Sequence, residues 1–217
     1  VAISRVSSAS AQATTIILPT HQAGDLIFMF AARNNTTAAT VPSGWVTLLS
    51  AGASGVATVA GFKVAQSSSE ISGTWTNASS LHCAVYRGSV GVVLPSLGVS
   101  SGSGTGTSVG YTQLQNYRVG VDDNWYIGAA IMLNSANSLE TAPTGMTNIN
   151  FESSTGVWKA ALHDTNASQL SNWATTNVTV TNSAVWRTFT AQLFEVKAPA
   201  FGGGGGSYSP IDNILIG

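Results

Sequence analysis

GDLIFMFAARNNTTAATVPSGWVTL, residues 24–48, and DNWYIGAAIMLNSANSLETAPTGMTNI, residues 123–149, are the two stretches on which the fold of this chain turns. Each opens on a short continuous apolar run bounded by turn residues, which reads as a buried strand. Each then crosses a polar Asn/Thr/Ser segment and closes on a proline turn, Pro42-Ser43-Gly44-Trp45 in one and Pro143-Thr144-Gly145-Met146 in the other. Proline presets φ at the second position of such a turn and glycine accepts positive φ further on, so each Pro-x-Gly reverses the chain before a new strand.

The order continues to match further along. Gly55-Val56 and Gly156-Val157 open the next strands, a polar stretch holding Trp75 or Trp173 follows, and AVYRG (84–88) or AQLFEV (191–196) closes the unit. These parallels predict an internal repeat with halves at about 14–95 and 111–197 sharing one core. Strands are expected at 14–18, 25–32, 45–49, 55–65, 81–86, 125–133, 156–164, 176–181 and 188–196. No amphipathic helix stands out. The expected fold is therefore all-β, a jelly-roll-like β-sandwich spanning 1–198, followed by a Gly-rich C-terminal arm at 199–217. Between the halves, SLGVSSGSGTGTSVG (96–110) reads as a flexible linker or long surface loop. It is no phosphate cradle, since GSGTG is followed by neither a helix nor Lys-Ser/Thr.

Charged residues make up 8% of the chain, against roughly 25% in ordinary soluble domains. The polar surface must then be Ser, Thr, Asn and Gly, which lack the long-range repulsion that keeps molecules apart. Net charge is −1 without a Lys/Arg cluster, so nucleic acid is not an expected partner. There is no 18-residue apolar run, and VAISRVSSAS lacks the basic-then-apolar layout of a signal peptide; neither membrane insertion nor export is expected. The single cysteine, Cys83 in LHCAVY, reads as a buried thiol.

Chemistry-bearing residues do not converge. His21, His82 and His163 are dispersed, and Asp122-Asp123 reads equally as a turn and as part of a cation site; no metal or other cofactor is expected. No GxSxG elbow occurs, and the acids fall mostly at strand ends and turns, so the chain is read as non-enzymatic, with no catalytic residues. Aromatic rings stack on the apolar faces of sugars. Trp45, Trp125, Trp158 and Trp186 sit in apolar surroundings and read as core, whereas Trp75 and Trp173 lie among polar residues. Trp75, Asn77, Asn166, Asn172 and Trp173 are accordingly the candidate glycan-binding residues.

The set Gly24-Asp25, Pro42-x-Gly44-Trp45, Tyr86-Arg87-Gly88 and Pro143-x-Gly145-Met146 resembles a loosely defined group of β-sandwich proteins of tailed-phage genomes and some bacterial surface proteins, over roughly residues 14–196. The marks are structural and carry no catalytic residue. The resemblance implies a virion accessory protein, either a capsid decoration or a tail or fibre component. Its partners would be other virion proteins and further copies of itself, a trimer first of all by analogy with phage fibres. Host-surface glycan recognition is the alternative role.

In FGGGGGSYSPIDNILIG (201–217), five glycines permit a path close against another backbone, and Phe201, Tyr208, Ile211, Ile214, Leu215 and Ile216 are the candidate assembly contacts. Burying the four aliphatic residues would contribute roughly 1.5–3 kcal/mol each. Whether this hook engages a neighbour or its own sandwich stays open at the level of sequence.

Overall fold

A computed structural model describes residues 3–88, 91–93, 98–115, 123–133 and 139–195. Its strands are β1 (Ser4–Ala11), β2 (Leu26–Arg33), β3 (Val46–Ala53), β4 (Val56–Val64), β5 (Ser80–Arg87), β6 (Val92–Val93), β7 (Val99–Tyr111), β8 (Asn124–Leu133), β9 (Thr147–Ser154), β10 (Trp158–Asp164) and β11 (Thr176–Glu195). They form two antiparallel sheets. One has the order β1-β5-β2-β4-β3; the other runs β11-β8-β10-β9, with β6 and β7 both paired to β11. With β7 in the place of β1, the two orders are the same.

The predicted all-β sandwich of two similar units is thus present, and its winding differs in detail from a jelly roll with its two Greek keys. Each half completes one sheet before the chain moves to the other. In each sheet, two strands of the same direction are joined across a third. The connectors 34–45 and 65–79 therefore pass over the outside of the first sheet, and 142–146 and 165–175 lie over the outside of the second.

Strand alternation sorts the side chains into an inner and an outer layer. Leu26, Phe28, Phe30 and Tyr86 of the first sheet meet Trp125, Ile127, Ile131, Leu162, Phe189 and Leu193 of the second. Phe28 and Phe189 lie 5.9 Å apart, and Tyr86 meets Trp125 edge-on. The outer faces are buried too, because the connectors cover them. Ile27, Met29, Cys83 and Val85 pack under Leu18, Ala39 and Trp75, and Tyr126 packs under Leu114, Met146 and Trp173. This double coverage explains why β2 and β8 are continuously apolar rather than alternating.

Several expectations change. TTIIL (14–18) is not a strand but part of the outer covering, where Ile16 and Leu18 pack. The segment expected as a linker, 96–110, supplies the 13-residue strand β7. Its glycines permit close packing: a Cβ on Gly104 would lie 2.7 Å from the Trp186 ring, and one on Gly102 would lie 2.8 Å from Thr188 Oγ1. At Gly106 φ is +147°, and the β7–β11 register shifts there. Beyond the bend, Val109, Tyr111, Val178 and Val180 fold onto Ala130, Met132 and Ala161 on the outer face. The arm at 199–217, with Phe201, Tyr208, Ile211, Ile214, Leu215 and Ile216, lies outside the described residues.

Candidate functional site

At the lower end of the sandwich, where β2 and β8 begin, ion pairs tie strands and sheets together. Asp25 accepts two hydrogen bonds from Arg87, Nε at 2.6 Å and Nη2 at 2.7 Å, and a third from the Gln22 N–H. Burial alone would raise the Asp25 pKa, but these donors outweigh it and hold the carboxyl below its ordinary value. Asp164, buried on the second sheet, takes Arg5 Nη1 at 2.7 Å and the Tyr86 hydroxyl at 3.1 Å from the first. Here burial outweighs the donors and the pKa is raised. The Gly-Asp and Tyr-Arg-Gly marks of the sequence are therefore the two ends of clasps, Asp25 to Arg87 and Tyr86 to Asp164.

The histidines are built into the fold separately. His82 Nδ1 pairs with Asn150 Oδ1 at 2.8 Å, and Asn150 Nδ2 donates to the carbonyls of Ala9 and Cys83. Burial pushes the His82 pKa down to about 4, against the weaker raising effect of Asn150. His163 is buried edge-on against Tyr111, and burial together with His82 takes it to about 3. His21 donates from Nδ1 to the Pro19 carbonyl and accepts the Glu70 N–H at Nε2. Among the described residues no three His, Cys, Asp or Glu side chains are grouped to hold a metal ion.

The glycan residues predicted from sequence are not brought together. Trp75 is 0% exposed, packed edge-to-face on Trp45 at 5.3 Å, with both indole N–H groups donating to the Ser72 carbonyl. Trp173 is 7% exposed and lies on Tyr126. The two rings occupy opposite outer faces of the sandwich, and neither offers a face to a sugar. Polar neighbours misled because the connectors carrying these tryptophans fold inward onto apolar sheet faces. Asn77, Asn166 and Asn172 are exposed; the first two adopt positive φ in turns, and Asn172 donates to Gln115. One signal in the sequence was available: each tryptophan closely follows an aliphatic-Ser pair, Ile71-Ser72 or Leu170-Ser171, and packs on the residue after Pro-x-Gly, Trp45 or Met146.

At the upper end, the β3–β4 hairpin approaches β7 and β11 around a concavity of about 90 Å³ lined by Ser54, Ser103, Gly104, Thr105, Val185 and Trp186. Ser54 holds φ +52° beside Gly55 at +92°, so both residues of this two-residue turn are left-handed, as a type I′ hairpin requires. Arg187 is the next residue on β11. Its register partner is Ile131, and it sits between Val185 and Phe189, so its side chain is on the same, inner side of the sheet as theirs. Its Nε is buried without a hydrogen-bond partner among the described residues. The other five described cations are engaged: Arg5, Lys63, Arg87 and Lys159 pair with acids, and Arg33 donates to the Thr37 carbonyl. Sequence reasoning passed over Arg187, since a single arginine in a strand carries no pattern.

Compared with known proteins, the chain matches no family model, no curated protein and no solved structure.

Proposed function

We propose that this chain is a non-enzymatic structural subunit of a virion, a capsid decoration or tail component, that assembles with its neighbours through its surface and its C-terminal arm. The observation that carries this reading is the exposed aliphatic pair on a charge-poor surface. Ile17 is 91% exposed and Ile71 75%, and the Ile16 N–H donates to Ser72 Oγ, which sets the two segments side by side. Leu170, at the position in the second half matching Ile71, is 68% exposed. Such residues add nothing to the fold, and the charges beside them, Lys63 and Glu70, neutralise each other as an ion pair, which leaves little net charge to keep copies apart. The upper concavity, at about 90 Å³, is small beside the hundreds of cubic ångströms of an ordinary small-molecule site.

Light scattering on the purified chain, with and without residues 199–217, tests the reading. The full chain is expected to associate, a trimer being the first stoichiometry to look for, and the truncated chain to remain folded but monomeric. A full chain that is monomeric at high concentration and absent from purified particles would overturn it.

A further inference from the structure

We infer that a buried water molecule is a built-in part of this protein, held on the outer face of the second sheet, where it bridges the Tyr111 hydroxyl and the His163 ring. The site needs no assembly to form and is independent of the reading above.

Tyr111 and His163 are both 0% exposed, and the Tyr111 Oη and both ring nitrogens of His163 have no hydrogen-bond partner among the described residues. A buried hydroxyl or imidazole left unpaired is costly, so such groups are met by protein or by ordered water. The first half shows the alternative: there the outer-layer indoles of Trp45 and Trp75 both donate to the Ser72 carbonyl. Among the described residues, every buried side-chain polar atom without a partner belongs to the second half.

The geometry brings the two unpaired groups to one place. Gly110 O and Thr112 Oγ1 lie 3.1 and 3.0 Å from where a Cβ on Gly102 would stand, so the segment carrying Tyr111 crosses over β7. From there the phenol reaches inward across β11 to β8, where its Cδ1 and Cε1 both lie 3.1 Å from the Cβ position of Gly128. The hydroxyl, further out on the ring axis, is thereby carried toward β10, on which His163 is the register partner of Gly128. The two rings stand 5.9 Å apart between centroids and cross at 67°, without a direct hydrogen bond. Beside His163 the ladder to β9 is interrupted: Leu162 faces Asn150 and His163 faces Asn148, so Ile149 has no opposite number. A bulge of this kind disrupts the ladder locally, which gives a water room and a further backbone partner, and buried waters make about three hydrogen bonds. The guest is neutral, since Asp164, the acid next along β10, turns to the inner face and is bonded to Arg5 and Tyr86.

High-resolution crystallography of the full chain is expected to show an ordered water within hydrogen-bonding distance of both Tyr111 Oη and a His163 nitrogen. Urea unfolding of full-length chains carrying Tyr111→Phe, His163→Phe or both provides the second measurement. Tyr111→Phe is expected to weaken the folding equilibrium about fivefold, because it removes one anchor of the water. In a dry site the same change would leave the equilibrium unchanged or strengthen it. The double variant is expected to be more stable than the two single effects combined would give, since the water is lost once either anchor is gone. A dry contact or a direct Tyr111–His163 hydrogen bond in the crystal, a Tyr111→Phe chain as stable as its parent, or strictly additive effects overturns the proposal. The crystallography uses the parent chain, so it decides even where a variant fails to fold.

Discussion

Trp75 illustrates how a residue's neighbours in sequence differ from its neighbours in space. Set in SGTWTNASS it looks exposed, yet its own connector, 65–79, turns it inward into one cluster with Ile27, Met29 and Cys83. Trp75→Ala should therefore act on stability, costing about 3–5 kcal/mol as a large cavity in a packed core, measured by urea denaturation. Arg87→Ala should leave Asp25 buried without its bidentate partner and cost about 1–3 kcal/mol in the same assay. The buried histidines set the acid response. Both fold with pKa values, about 4 for His82 and about 3 for His163, below the unfolded value of 6.5. The unfolded chain therefore binds protons first as pH falls. Their contribution is intact above pH 6.5 and is lost progressively as pH drops toward 4 and then 3, by at most about 1.4 kcal/mol per pH unit per histidine. Asp164, with its raised pKa, works in the opposite sense near the bottom of that range. His163→Phe, which keeps a ring against Tyr111, should flatten the loss between pH 6.5 and 5; an unchanged slope would remove His163 from the account.

Among the elements, β7 was the least legible. SSGSGTGTSVG has the composition of a linker, and nothing local announces a strand; its order comes from β11, which pairs with it from Val99 to Tyr111. The glycines are there because Trp186 and Thr188 occupy the space a side chain would need. Gly104→Val should accordingly destabilise the protein by about 1–3 kcal/mol, even though valine favours strands, as overpacking outweighs propensity. A melting temperature equal to or above that of the parent chain would count against this packing. By contrast, β2, β4, β5, β8 and β10 could be read to within a few residues, because unbroken apolar runs such as LIFMFAA and WYIGAAIML need cover on both faces. The polar strand β1, SRVSSASA, and the polar strand β9, TNINFESS, escaped notice for the complementary reason: both are sheet edges.

At the scale of the whole molecule, the two sheets depend on one another. A fragment ending at residue 95 keeps all five strands of the first sheet but leaves Leu26, Phe28, Phe30 and Tyr86 without the residues that cover them. It should be unfolded or aggregated, with no cooperative thermal transition by circular dichroism; a soluble fragment that melts cooperatively would show the halves to be independent. The sequence by itself determined the strand-rich class, the two Pro-x-Gly turns and the repeat, because these rest on apolar runs and backbone preferences that act over a few residues. Only the tertiary structure decided that each half makes one sheet, that Trp75 and Trp173 are core, that Asp25 clasps Arg87 while Tyr86 clasps Asp164, and that Arg187 alone among the described cations has no acceptor there. Those outcomes join residues far apart in the chain, and burial and pairing at such separations are set by which faces the packing closes.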